Sequence, residues 1–358
     1  MIVNTQTETA SKIIEEINEI DTETNLSLEV ISGISEKDSE KLNELSDNNK
    51  EQMDELTIDA VQKAENTSED SQLIANVVAV VNDDLANKVV EEVSKTSIEE
   101  KQTLSAKVLK AITDTEPDKI NVIDKEVKST IIKQAVEVSK KQEEGTISDE
   151  ESMVDIVSDI ISKTDSETAL EVIEEVNDTE SESNFSLKIG AGVAEKSNQK
   201  LDSLSVIDRE EVDELIEKAV QSAKSTNEDG ELIAQVVKVT SDELANKVVD
   251  EVSKSSTDDK KDLSAKVLKA IVDTEPNKIE KLDKEIKDKV IEQVVEAAKD
   301  QQENLTEGQN LSKEEDLTDV VADIVTKTDN DTATKVFETL NEVADKSDSK
   351  LSLSFVEN

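Results

Sequence analysis

Cysteine, histidine, tryptophan and tyrosine are all missing from these 358 residues. Without cysteine there are no disulfides, no thiolate chemistry and no sulfur-ligated metals. Without histidine the commonest general base and the commonest transition-metal ligand are gone together. Phenylalanine occurs three times, at Phe185, Phe337 and Phe355, so the chain carries almost none of the bulky anchors that dominate tight interfaces. Arginine occurs once, at Arg209, against 40 lysines, which all but removes bidentate phosphate and carboxylate clamps. Proline occurs twice, at Pro117 and Pro276.

What is present is acid and aliphatic. The formal charge is -46 and the pI is near 4.2. Such a polyanion repels phosphates and anionic lipid head groups, so neither nucleic acid nor a membrane surface is expected as a partner. No apolar stretch reaches bilayer length, and Met1–Thr9 has neither a basic start nor an apolar run of the secretory kind. The hydrophobic share of 34%, mostly Val, Ile, Leu and Ala, still exceeds what an unfolded polyelectrolyte would carry.

The chain repeats itself. Residues 71–120 and 230–279 match at 34 of 50 positions with a constant offset of 159, and the same offset pairs Pro117 with Pro276. Residues 2 to about 144 realign in this way on 161 to about 303. A weaker match near 80 residues divides each copy: Val172-Ile-Glu-Glu-Val returns as Val248-Val-Asp-Glu-Val, and Phe185-Ser-Leu-Lys-Ile as Leu263-Ser-Ala-Lys-Val. This divides the chain into four units, 1–70, 71–150, 151–229 and 230–311, with a partial fifth at 312–358.

Spacing within the units is helical. Ile74, Val77, Val78 and Val81 fall at i, i+3, i+4 and i+7, as do Ala86, Val89, Val90 and Val93. Val127, Ile131, Ala135 and Val138 trace another stripe. Valine favours strands on propensity, but the charged residues between these positions select the helical period. Capping boxes are expected at Ser97–Glu100, Ser148–Glu151, Thr164–Glu167, Thr240–Glu243 and Ser312–Glu315. Thr115-Glu-Pro117 and Thr274-Glu-Pro276 place each proline in a first turn. Helices of about 10 to 18 residues follow, too short for a long coiled coil. The predicted fold is all-α: tandem helical repeats forming an elongated α-solenoid or a string of small helical bundles.

The ends align with interior positions. Ile2-Val-Asn-Thr5 matches Ile161-Ser-Lys-Thr164, and Leu351-Ser-Leu-Ser matches Phe185-Ser-Leu-Lys. The expectation is a piece of a longer array.

Candidate chemistry is thin. Glu91–Glu92 and Glu174–Glu175 read as solvated helix faces. Ser225-Thr-Asn227-Glu-Asp229-Gly230 starts like a calcium loop, but its twelfth position is Val236 where a bidentate Glu is needed. Asp329-Asn-Asp331 and Asn82-Asp-Asp84 are weaker, and the latter reads as a cap. Ser94-Lys95 and Ser253-Lys254 sit at helix ends, where a cap and a dipole-compensating lysine explain them. Gly190-Ala-Gly192 falls inside a helical pattern, opposite Ile31-Ser-Gly33 of the first copy, so it is no phosphate loop.

No catalytic, cofactor-binding or metal-ligating residue is therefore predicted, and no cofactor. The expected role is a non-enzymatic structural or spacer segment of a long acidic helical-repeat protein of a bacterial surface or secreted kind. The alternative is a solenoid scaffold that binds a peptide or helix. Partners are then protein or a second copy, with diffuse divalent cations on the acidic exterior. A binding module requires clustered exposed apolar residues on one face, and a spacer requires a uniformly polar exterior.

Overall fold

The computed structural model describes residues 7–20, 26–48, 50–97, 101–179, 184–256, 260–304 and 316–346. Every regular element among them is a helix, and they fall into two compact units, Met1–Glu180 and Ser181–Asn358. The first holds α1 (Thr7–Ile20), α2 (Leu26–Lys37), α3 (Ser39–Asn48), α4 (Lys50–Lys63), α5 (Ser68–Val80), α6 (Asp83–Thr96), α7 (Leu104–Thr115), a 3-10 helix (Pro117–Val122), α8 (Lys125–Glu143), α9 (Met153–Lys163) and α10 (Ser166–Asp178). The second holds α11 (Phe185–Lys196), α12 (Lys200–Ile207), α13 (Arg209–Ser222), α14 (Asn227–Val239), α15 (Asp242–Ser255), α16 (Leu263–Thr274), α17 (Asn277–Glu280), α18 (Lys284–Asn304), α19 (Leu317–Lys327) and α20 (Asn330–Lys346). Lengths run wider than the sequence suggests, from 4 residues in α17 to 21 in α18.

Each unit is two layers of helices. In the first, α2, α5, α7 and α9 stack in one layer, and α1, α4, α6, α8 and α10 in the other. In the second, α11, α14, α16 and α19 face α13, α15, α18 and α20. The copies keep step: α2 and α11, α4 and α13, α5 and α14, α6 and α15, α7 and α16, and α8 and α18 begin 159 residues apart. Past α8 the offset becomes 164, as Met153 and Leu317 show, so the length change falls in the connection before α9 and α19.

The aliphatic stripes form the core between the layers. Ile74, Val77, Val78 and Val81 are buried to within 1% of complete exclusion, and Ala86, Val89, Val90 and Val93 are fully buried. Ile131, Ala135 and Val138 are buried too, while Val127 at the start of that stripe is only half-buried. Valine-rich helices this short are marginal alone. Burying an aliphatic side chain contributes about 1.5–3 kcal/mol, so packing on neighbours decides their stability.

The caps correct the sequence reading. Thr164 does not start α10; it closes α9, its hydroxyl donating to the Ile160 carbonyl at 2.7 Å. The N-cap is Asp165, which accepts from the Thr168 amide at 2.8 Å. Thr240 likewise closes α14, and Ser241 caps α15. Thr328 closes α19 in the same way, beside Asp329. The turns are so tight that one helix's C-cap adjoins the next helix's N-cap, and the threonine is claimed by the carbonyl four residues back.

Ser97 also ends its helix, donating to the Val93 carbonyl, with the Ser105 hydroxyl 2.7 Å from its own. Ser148 lies in the α8–α9 loop, and Ser152 is the cap, accepting from the Asp155 amide. Ser312–Glu315 lies outside the described residues. Both prolines open short turns as expected: Pro117 begins the 3-10 helix and Pro276 precedes α17.

Candidate functional site

A polar framework ties successive helices together, and it recurs in the second copy, 159 residues on up to α8 and 164 beyond it. Lys50–Asp84 (2.7 Å) and Lys88–Asp54 join α4 to α6; Arg209–Glu243 (2.6 Å) and Lys247–Asp213 (3.6 Å) join α13 to α15. Lys163–Asp114 (2.6 Å) links α9 to α7, as Lys327–Asp273 (2.7 Å) links α19 to α16. Burial alone would raise the Asp114 and Asp273 carboxyls, but their paired lysines outweigh it and hold both below the usual carboxylate range. Between the layers, Gln134 accepts from Ser105 and donates to the Ser94 carbonyl, while Gln293 accepts from Ser264 and donates to the Ser253 carbonyl.

The residues considered for chemistry are placed in this framework. Glu91 pairs with Lys95 at 2.8 Å, and Glu92 accepts from Gln62. Burial raises the Glu175 carboxyl, with Lys133 at 4.0 Å offsetting part of it, while Glu174 beside it is exposed. The Ser225–Gly230 stretch is a helix start. Thr226 caps α14 by accepting from the Asp229 amide, and Asp229 accepts from Asn184 and from the Lys224 amide at 2.8 Å. Its carboxylate is spent on the turn. Burial would raise Asp229, yet these hydrogen bonds hold it low.

Asp329 and Asn82 are N-caps. Ser94 and Ser253 donate to carbonyls of their own helices, and Lys254 is raised by hydrogen bonds to Asp250 and Glu251. Gly190 lies in the middle of α11. Among the described residues, no group of three or more acidic side chains is placed to hold a metal ion.

One open feature has walls that differ between the copies. A groove of about 670 Å³ runs between α14 and α16 in the second unit. Ala234 and Ala270 form its floor, both buried. Asn227, Glu231, Gln235 and Lys238 line the α14 side, and none of their side chains makes a hydrogen bond or ion pair among the described residues. Lys266, Lys269, Asp273 and Thr274 line the α16 side and are held in place: Lys269 by Asp273, Thr274 by the Ala270 carbonyl, and Lys266 by the Ser225 carbonyl.

In the first unit one side-chain hydrogen bond crosses the same surface, and the second α5 side chain is turned to α2. Gln72, at the position of Glu231, donates across α5 and α7 to Thr115 Oγ1 at 2.9 Å. Asn76, at the position of Gln235, donates to Glu36 on α2 at 2.8 Å. Ala79 stands where Lys238 does. The sequence held this signal: three mismatches in its best-matched stretch, Gln72/Glu231, Asn76/Gln235 and Ala79/Lys238, lie on one helix face.

Neither a protein-family description nor any curated protein matches the chain. Solved structures of low similarity do. An engineered protein aligns over 99% of this chain and 97% of its own, at 14% identity and a TM-score of 0.34. The Puf3 RNA-binding domain, bound to a Cox17 RNA recognition sequence, aligns over 82% and 92%, at 12% identity and a TM-score of 0.32. A circular tandem repeat protein with a novel repeat topology aligns over 98% and 86%, at 15% identity and a TM-score of 0.28. Likeness at this level does not bear on function.

Proposed function

We propose that this chain is a non-enzymatic structural segment of an acidic helical-repeat protein, a spacer whose modules are the roughly 80-residue units 1–70, 71–150, 151–229 and 230–311. The observation that carries this reading is the framework itself: helix-to-helix ion pairs and seam glutamines recur from one long copy to the other, while the large exposed apolar side chains are dispersed. Among the described residues those are Ile20, Leu26, Val122, Val206, Ile207 and Phe337, on four different α-helices and the end of the 3-10 helix. Side chains that repeat with the fold serve the fold. No helix among the described residues is long and apolar enough to cross a membrane. A charge of -46 disfavours nucleic acid and favours loose divalent counter-ions. The absence of cysteine fits the cytoplasm and equally a secreted or surface bacterial protein built without disulfides, and we place the array in the latter setting.

Small-angle X-ray scattering tests the spacer role. A cross-sectional Guinier region typical of an extended particle is expected; the profile of a compact sphere would remove the reading. A second reading, a scaffold that binds peptide, is favoured by one observation only, the unbridged α14–α16 groove.

A further inference from the structure

The geometry points to the α14–α16 groove as a binding site for an extended, mixed-charge peptide in a polyproline II-like conformation, an inference that rests on the second reading above. Glu231 and Lys238 are exposed, carry opposite charge and have no partner among the described residues, although the chain has lysines and carboxylates enough to neutralise both. They stand seven residues apart on one helix, about 10.5 Å along its axis. A polyproline II segment places side chains i and i+3 on the same side, about 9.3 Å apart. A basic and an acidic side chain three residues apart on such a peptide therefore meet Glu231 and Lys238 together. A β-strand fits less well, because i and i+3 point to opposite faces.

The floor and the remaining wall fit the same occupant. Ala234 and Ala270 leave room for a backbone to lie low between the helices. At the Lys266 end the helices come close: a Cβ on Gly230 would stand 2.9 Å from the Lys266 carbonyl carbon. Polyproline II has no internal hydrogen bonds, so its carbonyls and amides need external partners. Gln235, between the two charges, offers a carboxamide that donates and accepts, and Asn227 offers a second. The volume lies within the range of about 300–1,000 Å³ common for ligand pockets. With no aromatic wall, binding is weak and salt-sensitive.

The contrast with the first unit singles out this groove from the general polarity of the surface. The copies share the floor, Ala75 and Ala111 matching Ala234 and Ala270, and differ in whether the α5 wall bonds to the facing helix: Gln72 reaches Thr115, whereas Glu231 reaches nothing on α16.

The test uses the full chain and four fluorescein-labelled, end-blocked, proline-rich peptides. Two carry Lys and Glu three residues apart in either order, one carries two Lys and one carries two Glu. Fluorescence anisotropy at physiological salt, where diffuse attraction of cationic peptides to a charge of -46 is screened, is read for the parent and for Glu231→Lys, Lys238→Glu and the double reversal. Both charge positions are exposed, and circular dichroism confirms that each variant stays helical.

The mixed-charge peptides are expected to bind saturably and better than either like-charged peptide. Each single reversal weakens them about tenfold, and the double reversal restores binding. Glu231→Gln, the first-unit residue, weakens binding as well by allowing a bridge to Thr274. Mixed peptides that bind equally to the parent and both single reversals would overturn the groove while leaving a scaffold role intact. Absence of binding by all four peptides overturns the groove; absence of any bound peptide in a selection against the whole chain removes the scaffold reading with it.

Discussion

In α2 of the first unit, Ile31 is fully buried; 159 residues later, in α11, the corresponding residue is Gly190. A Cβ built on Gly190 would touch nothing within 4 Å, and a small cavity of about 20 Å³ lies there, walled by Leu187, Leu201, Leu215, Ile216 and their apolar neighbours. That is room for one water, but apolar walls offer it no partners. Part of the lost volume is returned from across the core, where Thr57 of the first unit becomes Ile216 in the second. The comparison shows what the repeat requires and what it tolerates. Helix starts, seam glutamines and inter-helix ion pairs are kept in both copies, while a core slot can be emptied and partly refilled from the facing helix.

The largest expected effect comes from emptying the slot that is full. Ile31→Ala removes a fully buried side chain and should cost about 2–5 kcal/mol, read as faster amide hydrogen exchange in α2 and its stacking partner α5. Unchanged exchange there would mean that the first unit collapses around the loss and that the two copies pack alike.

Next is Asp229, 1% exposed, whose carboxylate holds the Lys224 amide and Asn184 at the start of α14. Asp229→Ala should cost about 1–3 kcal/mol by orphaning those donors. The sign with pH follows from its lowered pKa. Its stabilisation is complete above the unfolded carboxyl value of about 4, and it is lost as pH falls through the lower native value. Acid titration of α14 exchange should therefore be flatter in Asp229→Asn than in the parent. An equally steep titration would show that Asp229 has no linkage to folding.

Filling the empty slot should have a smaller effect of opposite sign. Gly190→Ala adds a methyl to unoccupied space and removes a helix-interior glycine, a gain of about 1 kcal/mol. Slower exchange in α11 is the readout. A loss of stability would mean that the cavity is relaxed away in solution.

Much of this was legible beforehand, for identifiable reasons. The apolar period at Ile74–Val81 and Ala86–Val93 gave the helices and their buried faces, because amphipathic spacing survives any detail of packing. Capping was misplaced by one residue at Thr164 and Thr240. A hydroxyl at a helix junction can serve either helix, and only the turn's tightness decides which. The slot filled by Ile31 and emptied at Gly190 was visible as a mismatch, but its consequence depends on Ile216 across the core, a contact that no local pattern encodes. The groove was missed because absent bonds leave no motif. Gln72 and Glu231 look interchangeable in sequence, and they differ in whether they bridge to the next helix.

The smallest effect concerns the one arginine, which composition makes conspicuous. Arg209 pairs with Glu243 at 2.6 Å and approaches Asp213 at 3.7 Å; in the first unit Lys50 occupies the same place and pairs with Asp84 at 2.7 Å. Both ion pairs are exposed, with side-chain exposures of 62% and 71% in one and 51% and 72% in the other. Exposed pairs give up in side-chain ordering and salt screening most of what they gain in attraction. Arg209→Lys, which makes the copies alike, should therefore move the melting temperature by no more than about 1 °C. The whole chain should respond much more to salt, because added NaCl screens a charge of -46 while one exchanged cation leaves it unaltered. A drop of several degrees in Arg209→Lys, persisting in high salt, would mean that the arginine's planar fork organises α13 against α15 in a way the lysine of the first unit does not.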